Sequence, residues 1–331
     1  MPAPVRILRR SEIAALMTPA AYLDAVEIAF RSYATGNATV PAPMHIAARD
    51  GGFHVKGASV TLDRPYVAVK LNGNFPANRE RIGLPTIQGA LLLCDGSNGS
   101  VLAVMDSIEI TSRRTAAATA LAARYLARDD ARSIAICGCG DQGRAQLTAL
   151  AAILPLRCAK VWDIDFGCAH QFARDMRQSL EFEIIAVAAL PDATRDSDIV
   201  VTATPAKSAF LRSDCVSPGT FIAAVGADSP HKSEVAAELM AASKIVVDVL
   251  SQAAVMGDLR HAIDAGLMTE ADVYAELRDV VIGRKSGRTN RHEITLFDST
   301  GVAIEDAASA AWIYERAVAQ DVGTCIPLAS L

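Results

Sequence analysis

The stretch ICGCGDQG, residues 136–143, places three glycines at the spacing G-x-G-x-x-G. Glycine is common, so the spacing alone fits either a phosphate-binding loop or a plain tight turn. The flanking sequence decides between them. SIAIC, directly before the glycines, is typical of a buried strand, and RAQLTALAAIL, after them, has the apolar spacing of a helix. In this strand–turn–helix context the motif is predicted to bind the pyrophosphate of a dinucleotide.

Each glycine of the motif has its own expected task. Gly138 permits the tight turn, Gly140 lets the backbone approach the pyrophosphate, and Gly143 allows the helix to pack closely on the strand. Asp141 and Gln142 open the helix, whose N-terminus faces the bound anion. We therefore predict that these five residues contact the cofactor.

A carboxylate for the ribose is expected at the end of the next strand. Asp163 lies twenty residues after Gly143 and closes the apolar run VWD. A carboxylate there accepts hydrogen bonds from the ribose hydroxyls and repels a phosphate on the ribose, so NAD is favoured over NADP. Asp165 is the alternative for this position. Thr202 and Thr204 end another predicted strand, where they either lie beside the cofactor or cap the following segment.

The sequence around the motif predicts an α/β protein. Apolar strands that alternate with helices indicate a doubly wound parallel sheet. These strands are expected at 182–187, 198–204, 220–226 and 244–249. Residues 39–104 instead alternate short β-branched runs with Asp, Gly and Asn turns, which is typical of a mostly antiparallel sheet. We expect helices over 5–35 and 111–128, and a turn followed by a closing helix over 297–320.

Composition excludes several classes of function. The chain has 331 residues, 51% of them hydrophobic, and a net charge of −5 with both signs interspersed. We find neither the concentrated basic face of a nucleic-acid groove nor a basic or long apolar run for a membrane, and expect neither partner. Seven scattered cysteines without a C-x-x-C pair favour the reducing cytoplasm. The sequence shows no metal-ligand spacing, so no metal site is predicted.

Three charged residues stand in settings that are otherwise apolar or turn-like. Lys70 closes the run YVAVK, and Arg114 starts an alanine-rich helix, where it is suited to clamp a carboxylate with two hydrogen bonds. The alternative for both is a cation at the surface. Asp228 follows the strand FIAAVGA and is either a helix N-cap or a general acid/base.

These positions carry a resemblance that extends over nearly the whole chain. The sequence resembles the ornithine cyclodeaminase/μ-crystallin family in the stretches KLNGNFPAN…GLPTIQGALLLCDGSNGSVLAVMD, ITSRRTAAATALAARYLA, GCGDQGRAQL, AAVGADSPHKSE and LFDSTGVAIEDAASA. The resemblance implies that Lys70 and Arg114 bind the substrate carboxylate. It implies that Asp228 and Lys70 are catalytic, and that Thr115 of RTAA joins the cofactor contacts. Asp228 matches the aspartate of the cyclodeaminase and alanine dehydrogenase branches.

One stretch departs from the family pattern. Members usually carry an arginine shortly after a proline where this chain reads VPAPMHI, so that Pro43 and His45 stand there without an arginine. Further on, FHVKGA places His54 and Lys56 where the family has M-P-A. We expect Lys56 or His45 to supply the missing cation, or the substrate to differ. His54 is a further candidate for substrate binding.

The resemblance also implies how the chain is organised. Residues 1–119 and 304–331 are expected to form an α+β substrate-binding and dimerisation domain, and residues 120–303 a Rossmann NAD-binding domain, with the active site in the cleft between them. The implied reaction is hydride transfer at the α-carbon of a small L-amino acid or cyclic imino acid, by an amino-acid dehydrogenase or ketimine reductase acting as a homodimer. Cyclisation of ornithine to proline with release of ammonia is the first alternative. A non-catalytic μ-crystallin-like binding protein is the second.

Overall fold

The computed structural model describes residues 4–328. The chain divides into two compact units: unit 1 is Met1–Arg114 with Val302–Leu331, and unit 2 is Thr115–Gly301. The domain boundaries expected from the sequence fall slightly later, after residues 119 and 303. Residues 1–3 and 329–331 of the expected first domain lie outside the described residues.

The helices and strands are as follows. The strands are β1 (Val5–Leu8), β2 (Ala38–Thr39), β3 (Met44–Ala48), β4 (Gly51–Thr61), β5 (Pro65–Asn74), β6 (Ile87–Asp95), β7 (Val101–Asp106), β8 (Ser133–Cys137), β9 (Cys158–Trp162), β10 (Glu183–Ala186), β11 (Ile199–Thr202), β12 (Phe221–Ala224), β13 (Lys244–Val247), β14 (Ala275–Glu276), β15 (Thr295–Asp298) and β16 (Thr324–Ile326). The helices are α1 (Arg10–Leu16), α2 (Pro19–Ala34), α3 (Asn78–Ile82), α4 (Ser107–Leu126), α5 (Asp141–Ala151), α6 (Phe166–Met176), α7 (Leu190–Thr194), α8 (Ala237–Ala241), α9 (Leu250–Met256), α10 (Asp258–Asp264), α11 (Leu277–Val281) and α12 (Ala303–Ala319).

Unit 1 contains a mostly antiparallel sheet covered on one side by helices. Its strands pair in the order β16-β1-β7-β6-β5-β4-β2, and β3 pairs with β4. The helix α12 packs against α2, β4 and β5. Its buried face is rich in alanine, which allows the helix to approach the sheet closely. The first turn of α12 carries two buried carboxylates, Glu305 and Asp306, to the sheet.

Two expectations for unit 1 are wrong. Residues 5–35 are not helical throughout, because VRIL forms β1, a strand with two partners distant in sequence, β7 and β16. Lys70 does not close its strand either. The strand β5 continues to Asn74, paired on both sides with β4 and β6, so Lys70 lies in the middle of the sheet.

Unit 2 contains an entirely parallel sheet in the order β10-β9-β8-β11-β12-β15-β13-β14. The chain runs from β8 outward through β9 and β10, then returns to the other side of β8 with β11. The order therefore reverses at β8, and ligands of doubly wound sheets bind at the carboxyl ends of the strands at such a point. The predicted fold class, α/β with a Rossmann unit and an α+β unit, is confirmed.

The sequence analysis missed one central strand of unit 2. Residues 297–320 were expected to begin with a turn, whereas TLFD forms β15, fully buried between β12 and β13. Asp298 led to the prediction of a turn here, because aspartate is depleted in strands. Across residues 4–328 no single helix is both long and apolar enough to span a membrane. The helices α1 and α2 reach that length and hydropathy only when they are taken together, and they are bent by 85° relative to each other.

Candidate functional site

The glycine loop of unit 2 has the geometry that the motif predicts. Gly138 has a φ of +103°, and a Cβ there would lie 2.5 Å from the carbonyl oxygen of Ala203. A Cβ on Gly143 would lie 2.2 Å from the carbonyl oxygen of Gly138, so a side chain would separate α5 from β8. A Cβ on Gly140, by contrast, would meet nothing within 4 Å. The loop therefore leaves open space at Gly140, directly before the first turn of α5.

Asp163 lies beside this loop at the end of β9. One carboxylate oxygen accepts a hydrogen bond from the Cys139 backbone N–H at 2.8 Å, and the other accepts one from the Asp165 N–H at 3.0 Å. Asp165 itself caps α6 by accepting from the Gly167 N–H at 2.8 Å. The structure therefore joins Asp163 to the glycine loop and uses Asp165 as a helix cap. This favours Asp163 of the two candidates for the ribose.

The residues present fit a bound dinucleotide. The 11-residue helix α5 begins at Asp141 and directs its first backbone N–H groups toward the open space at Gly140. The side-chain oxygen of Gln142, in that first turn, is buried without a hydrogen-bond partner. A buried polar atom of this kind needs a partner from outside the chain, and a bound ligand or a water molecule can supply it. These residues would hold the pyrophosphate, and Asp163 would hold the ribose.

Thr202 and Thr204 bind a buried carboxylate and do not cap a helix. Both hydroxyls donate to the carboxylate of Glu234, at 2.7 and 2.6 Å respectively. No helix begins in residues 203–212, so the cap alternative is wrong. The loop after β11 nevertheless touches the glycine loop, since the site of a Gly138 Cβ lies 2.9 Å from a Thr204 methyl carbon. Contact of the two threonines with a cofactor stays a prediction.

Glu234 is a site residue that the sequence analysis did not single out. Its first oxygen accepts from the backbone N–H and hydroxyl of Thr204, and its second from the hydroxyl of Thr202 and the N–H of Gly226. Burial, followed by the negative charge of Asp258, raises the pKa of Glu234 to about 7. The available signal was its place at the end of AAVGADSPHKSE, one of the stretches that carry the family resemblance.

Asp228 lies four residues beyond the end of β12. Its carboxylate pairs with the ammonium of Lys232 at 2.7 Å, and its side chain is 54% exposed. Its backbone N–H donates to the carbonyl of Gly226 at 3.0 Å. No helix starts at Asp228, so the N-cap alternative is wrong. An exposed carboxylate is able to exchange protons, as the acid/base hypothesis requires.

In unit 1, Lys70 and Arg114 are brought together and are almost completely buried. Both bind one carboxylate, that of Asp306: the Lys70 ammonium at 2.6 Å and the Arg114 Nε at 2.9 Å. Arg114 also binds Glu305 at 2.8 Å, and Lys70 donates to the Thr111 hydroxyl at 3.2 Å. Neither residue is a surface cation, so that alternative is wrong. We call Lys70, Arg114, Glu305 and Asp306 the ion-pair cluster.

The ion-pair cluster shifts the protonation of its members. Burial, and then the charge of Arg114, lower the pKa of Lys70 to about 7, although Asp306 opposes the shift. For Asp306 burial acts to raise the pKa, but the charges of Arg114 and Lys70 outweigh it and hold the pKa below its usual value. The lysine is therefore close to titration at neutral pH, whereas the aspartate stays ionised.

The remaining candidates of unit 1 line the same face of the sheet. Lys56 on β4 pairs in register with Lys70 on β5, and its charge contributes to the lowered pKa of Lys70. His45 and His54 are register partners on β3 and β4, with ring centroids 4.7 Å apart. Lys56 is thus the candidate that lies next to the ion-pair cluster. Whether it or His45 replaces the family arginine stays a prediction.

Thr115 follows Arg114 inside α4 and is buried. Its carbonyl accepts from the Thr119 hydroxyl at 3.4 Å. Its contact with a cofactor stays a prediction. Among residues 4–328, no group of three or more His, Cys, Asp or Glu side chains is placed to hold a metal ion.

A parallel sheet with a glycine loop at its switch point and a carboxylate after the next strand defines unit 2 as a Rossmann dinucleotide-binding unit. The profile of the ornithine cyclodeaminase/mu-crystallin family matches residues 5–321. The chain belongs to this family, which confirms the resemblance. Alanine dehydrogenase of Archaeoglobus fulgidus is 36% identical to it over 322 residues, which cover 97% of both chains.

Two solved structures extend the likeness to the fold. An archaeal alanine dehydrogenase dimer with bound NAD superposes with a TM-score of 0.92 at 35% identity, covering 98% of this chain and 99% of that one. The Delta(1)-pyrroline-2-carboxylate reductase of Thermococcus litoralis, in complex with NADH and L-proline, superposes with a TM-score of 0.93 at 35% identity, covering 97% and 99%. Both relatives are thus similar to this chain over nearly their full lengths.

Proposed function

We propose that this protein is an NAD-dependent oxidoreductase that acts at the α-carbon of a small L-amino acid or cyclic imino acid. The observation that carries the proposal is the glycine loop of unit 2 with Asp163 beside it, which we call the cofactor cradle. It occurs in a chain similar along its whole length to an alanine dehydrogenase and a pyrroline-2-carboxylate reductase. When bound, the nicotinamide would accept a hydride from the α-carbon or return one to it. The other chemical tasks fall to residues of this chain.

The glycine loop and Asp163 are proposed to hold NAD rather than NADP. The Asp163 carboxylate is fixed by two backbone N–H groups, so it cannot easily turn away from a phosphate on the ribose. Like charges would then repel each other at close range. We expect NAD to bind at least tenfold more tightly than NADP. An Asp163→Asn variant should narrow this ratio, and an unchanged ratio would remove Asp163 from the proposal.

Lys70 and Arg114 are proposed to bind the substrate carboxylate. The guanidinium of Arg114 is oriented by Glu305 and Asp306 and keeps its planar geometry for a bidentate contact. Lys70, whose pKa is lowered to about 7, is able to hold or release a proton at its Nζ near neutral pH. A proton on Nζ would strengthen the pull of these residues on an anionic substrate and raise the electrophilicity of an imine.

Asp228 is proposed as the acid/base for the substrate nitrogen. Its carboxylate would take a proton from the α-ammonium before oxidation, and return one when the reaction runs toward the amine. The ion pair with Lys232 holds the carboxylate in one orientation while leaving it open to solvent. Replacing Asp228 with Asn should lower kcat by at least a hundredfold with little effect on NAD affinity.

A cyclodeaminase is the second candidate, because the family includes ornithine cyclodeaminases and Asp228 is present here. The two functions differ in their net products. We would incubate the protein with NAD and L-alanine, L-lysine, L-ornithine or L-proline in turn, and follow absorbance at 340 nm together with free ammonia. Net NADH supports the oxidoreductase. Ammonia and proline from ornithine without net NADH would contradict it and establish the cyclodeaminase.

A non-catalytic binding protein is the remaining alternative. It would bind amino or imino acids tightly in the same panel, with neither NADH nor ammonia formed. The buried ion-pair cluster and Asp228 argue for turnover, because both supply groups for proton transfer. The cytoplasm is the proposed location.

We also propose a homodimer. On the sheet face of unit 1 opposite Lys70, four large apolar side chains of β3 and β5 are 40–53% exposed: Met44, Ile46, Val69 and Leu71. Val55 of β4, in register with both Met44 and Leu71, lies between the two strands. Exposed apolar residues grouped in this way are typical of a protein interface. The dimer of the archaeal relative supports a second copy as the partner. Sedimentation of wild type and a Val69→Glu, Leu71→Glu variant tests this, with the variant expected to be monomeric.

A further inference from the structure

Glu234 has no task in the proposed chemistry, yet its carboxylate is buried and accepts hydrogen bonds on both oxygens. It lies at the carboxyl end of the unit 2 sheet, where it accepts four hydrogen bonds of 2.6–2.8 Å. Two come from the loop after β11 through Thr204, and a third comes from Thr202 at the end of that strand. The fourth comes from Gly226, in the loop after β12. One side chain thus joins two strand ends that are adjacent in the sheet.

We infer that Glu234 is a positioning residue that ties the loop after β11 to the loop after β12, and so holds the wall of the cofactor cradle and the segment carrying Asp228 in fixed positions. The inference rests on the proposed function for what the two loops do. The tie itself rests on the hydrogen bonds alone.

The first loop is the wall of the cradle. A Cβ on Gly138 would lie 2.5 Å from the Ala203 carbonyl oxygen and 2.9 Å from a Thr204 methyl carbon, so these atoms bound the glycine turn on one side. Thr204 is held by Glu234 through both its N–H and its hydroxyl. If the carboxylate were lost, the wall would be free to move, and the turn at Gly138 with it.

In the second loop, Gly226 connects Glu234 to Asp228 through two hydrogen bonds. The Gly226 N–H donates to the carboxylate at 2.8 Å, and the Gly226 carbonyl accepts from the Asp228 N–H at 3.0 Å. Gly226 also has no room for a side chain, because a Cβ would lie 2.4 Å from a Glu234 oxygen. The backbone carrying Asp228 is therefore fitted closely to this carboxylate.

The hydrogen bonds require a carboxylate and exclude its amide. Each oxygen of Glu234 accepts one backbone N–H, from Thr204 on one side and Gly226 on the other. A glutamine would have to place its NH₂ against one of these N–H groups in either orientation, because a backbone N–H cannot act as an acceptor. The Glu234→Gln variant keeps the size of the side chain but breaks one side of the tie.

The rest of unit 2 holds Glu234 in turn. Asp258, at the start of α10, accepts from the Glu234 N–H at 2.8 Å and from the Val235 N–H at 3.2 Å. Asp298, at the end of β15, accepts from the Leu259 N–H at 2.9 Å. The carboxylate is therefore presented by a backbone anchored to the central sheet, as a positioning residue requires.

The test compares full-length Glu234→Gln with Glu238→Gln, which makes the same change at an exposed site on α8. Without NAD, the amides of Thr204 and Gly226 are expected to exchange hydrogen at least tenfold faster in Glu234→Gln, with the amides of the strands themselves unchanged. The Kd for NAD, from fluorescence titration of each protein, is expected to rise at least tenfold. In Glu238→Gln both quantities should stay within twofold of wild type. Unchanged exchange and an unchanged Kd in Glu234→Gln would overturn the inference.

Two further variants separate positioning from general instability. Glu234→Asp retains two acceptor oxygens on a shorter stem and should recover the protection of at least one of the two amides; equal loss in the Asp and Gln variants would count against the inference. Gly226→Ala keeps the charge but places a Cβ 2.4 Å from a Glu234 oxygen and 2.5 Å from the Thr204 carbonyl oxygen, so it disturbs the same tie from the other loop. It should raise the Kd for NAD as Glu234→Gln does, and it serves if Glu234→Gln does not fold. If wild type binds no NAD, the proposed function fails, whereas the exchange of Thr204 and Gly226 still decides the tie.

Discussion

Unit 1 and unit 2 each bury a group of carboxylates, but they stabilise these groups in opposite ways. In the ion-pair cluster, Asp306 lies against two cations, Lys70 and Arg114. In unit 2 the carboxylates of Glu234, Asp258 and Asp298, which we call the acidic cluster, accept hydrogen bonds from backbone N–H groups and threonine hydroxyls. One cluster is stabilised by formal charges of opposite sign, and the other by hydrogen bonds from dipolar groups.

The difference appears in the protonation of the two clusters. The pKa of Asp306 lies below its usual value because the charges of Arg114 and Lys70 outweigh burial. Burial, followed by the charge of Asp258, raises the pKa of Glu234 to about 7; burial also raises the pKa of Asp258, and hydrogen bonds only reduce these shifts. Dipoles therefore orient a buried carboxylate but leave it able to bind a proton near neutral pH, whereas adjacent cations keep it ionised.

The largest expected effect is the loss of the shared counter-charge in unit 1. Asp306→Ala leaves Lys70 and Arg114 buried together without it, and we expect a loss of about 3–5 kcal/mol in the free energy of unfolding. Asp50→Ala is the matched control, since its pair with Arg81 is more than half exposed and contributes about 0–1 kcal/mol. Urea denaturation of both variants measures the contrast, which equal losses would refute.

The second prediction concerns the pH dependence contributed by Lys70. Its pKa of about 7 in the folded protein lies below its usual value of 10.5, so between these values the unfolded chain binds more protons than the folded one. The free energy of unfolding should therefore rise with pH between about 7 and 10.5. Thermal unfolding across this range should show a shallower rise in Lys70→Met than in wild type. Parallel profiles would mean that Lys70 titrates normally.

The acidic cluster should make the free energy of unfolding change with pH in the opposite direction. The pKa of Glu234 is raised from 4.5 to about 7, so the folded chain binds the extra proton in this range and stability falls as pH rises through it. Glu234→Gln should make that fall shallower. It should not abolish the fall, because Asp258 contributes with the same sign. The Glu238→Gln variant provides the reference profile, and a steeper fall in Glu234→Gln would contradict the assignment.

The smallest expected effect concerns two threonine hydroxyls, each of which forms a hydrogen bond with a member of one cluster. Thr202→Val removes a donor from Glu234, for which a loss of about 1.5–3 kcal/mol is expected, as for a hydrogen bond to a charged group. Thr111→Val removes an acceptor from Lys70, but this hydrogen bond is long, at 3.2 Å, and Lys70 keeps its bond to Asp306 at 2.6 Å, so the loss should be smaller, about 1 kcal/mol or less. Chemical denaturation of the two variants measures the difference. The reverse order would show that the dipoles matter less than we infer.

The sequence predicts the parts of this molecule that depend on local pattern. The glycine loop, the strands on both sides of it and Asp163 are all recognisable because strand, turn and helix follow one another within thirty residues. β1 and β15 could not be found in this way, because each is short and is stabilised by neighbours distant in the chain.

The same limit applies to the partners of the site residues. Lys70 and Arg114 stand out as charges in apolar surroundings, but Asp306 lies 236 and 192 residues further along the chain. Glu234 is closer to Asp228 in sequence, yet its importance lies in four hydrogen bonds that no spacing rule predicts. Sequence pattern finds groups that need a partner, and the fold supplies the partner.

The ion-pair cluster and the pairing of β1 with β16 have a consequence for synthesis on the ribosome. At about 5–20 residues per second, the 192 residues between Arg114 and Asp306 take roughly 10–40 s to emerge. During that interval unit 1 has its cations but neither their counter-charge nor β16, one of the two strands that pair with β1. Unit 2 is continuous in sequence and has this time to fold first. The nascent first segment is thus the part of the chain most in need of chaperone protection.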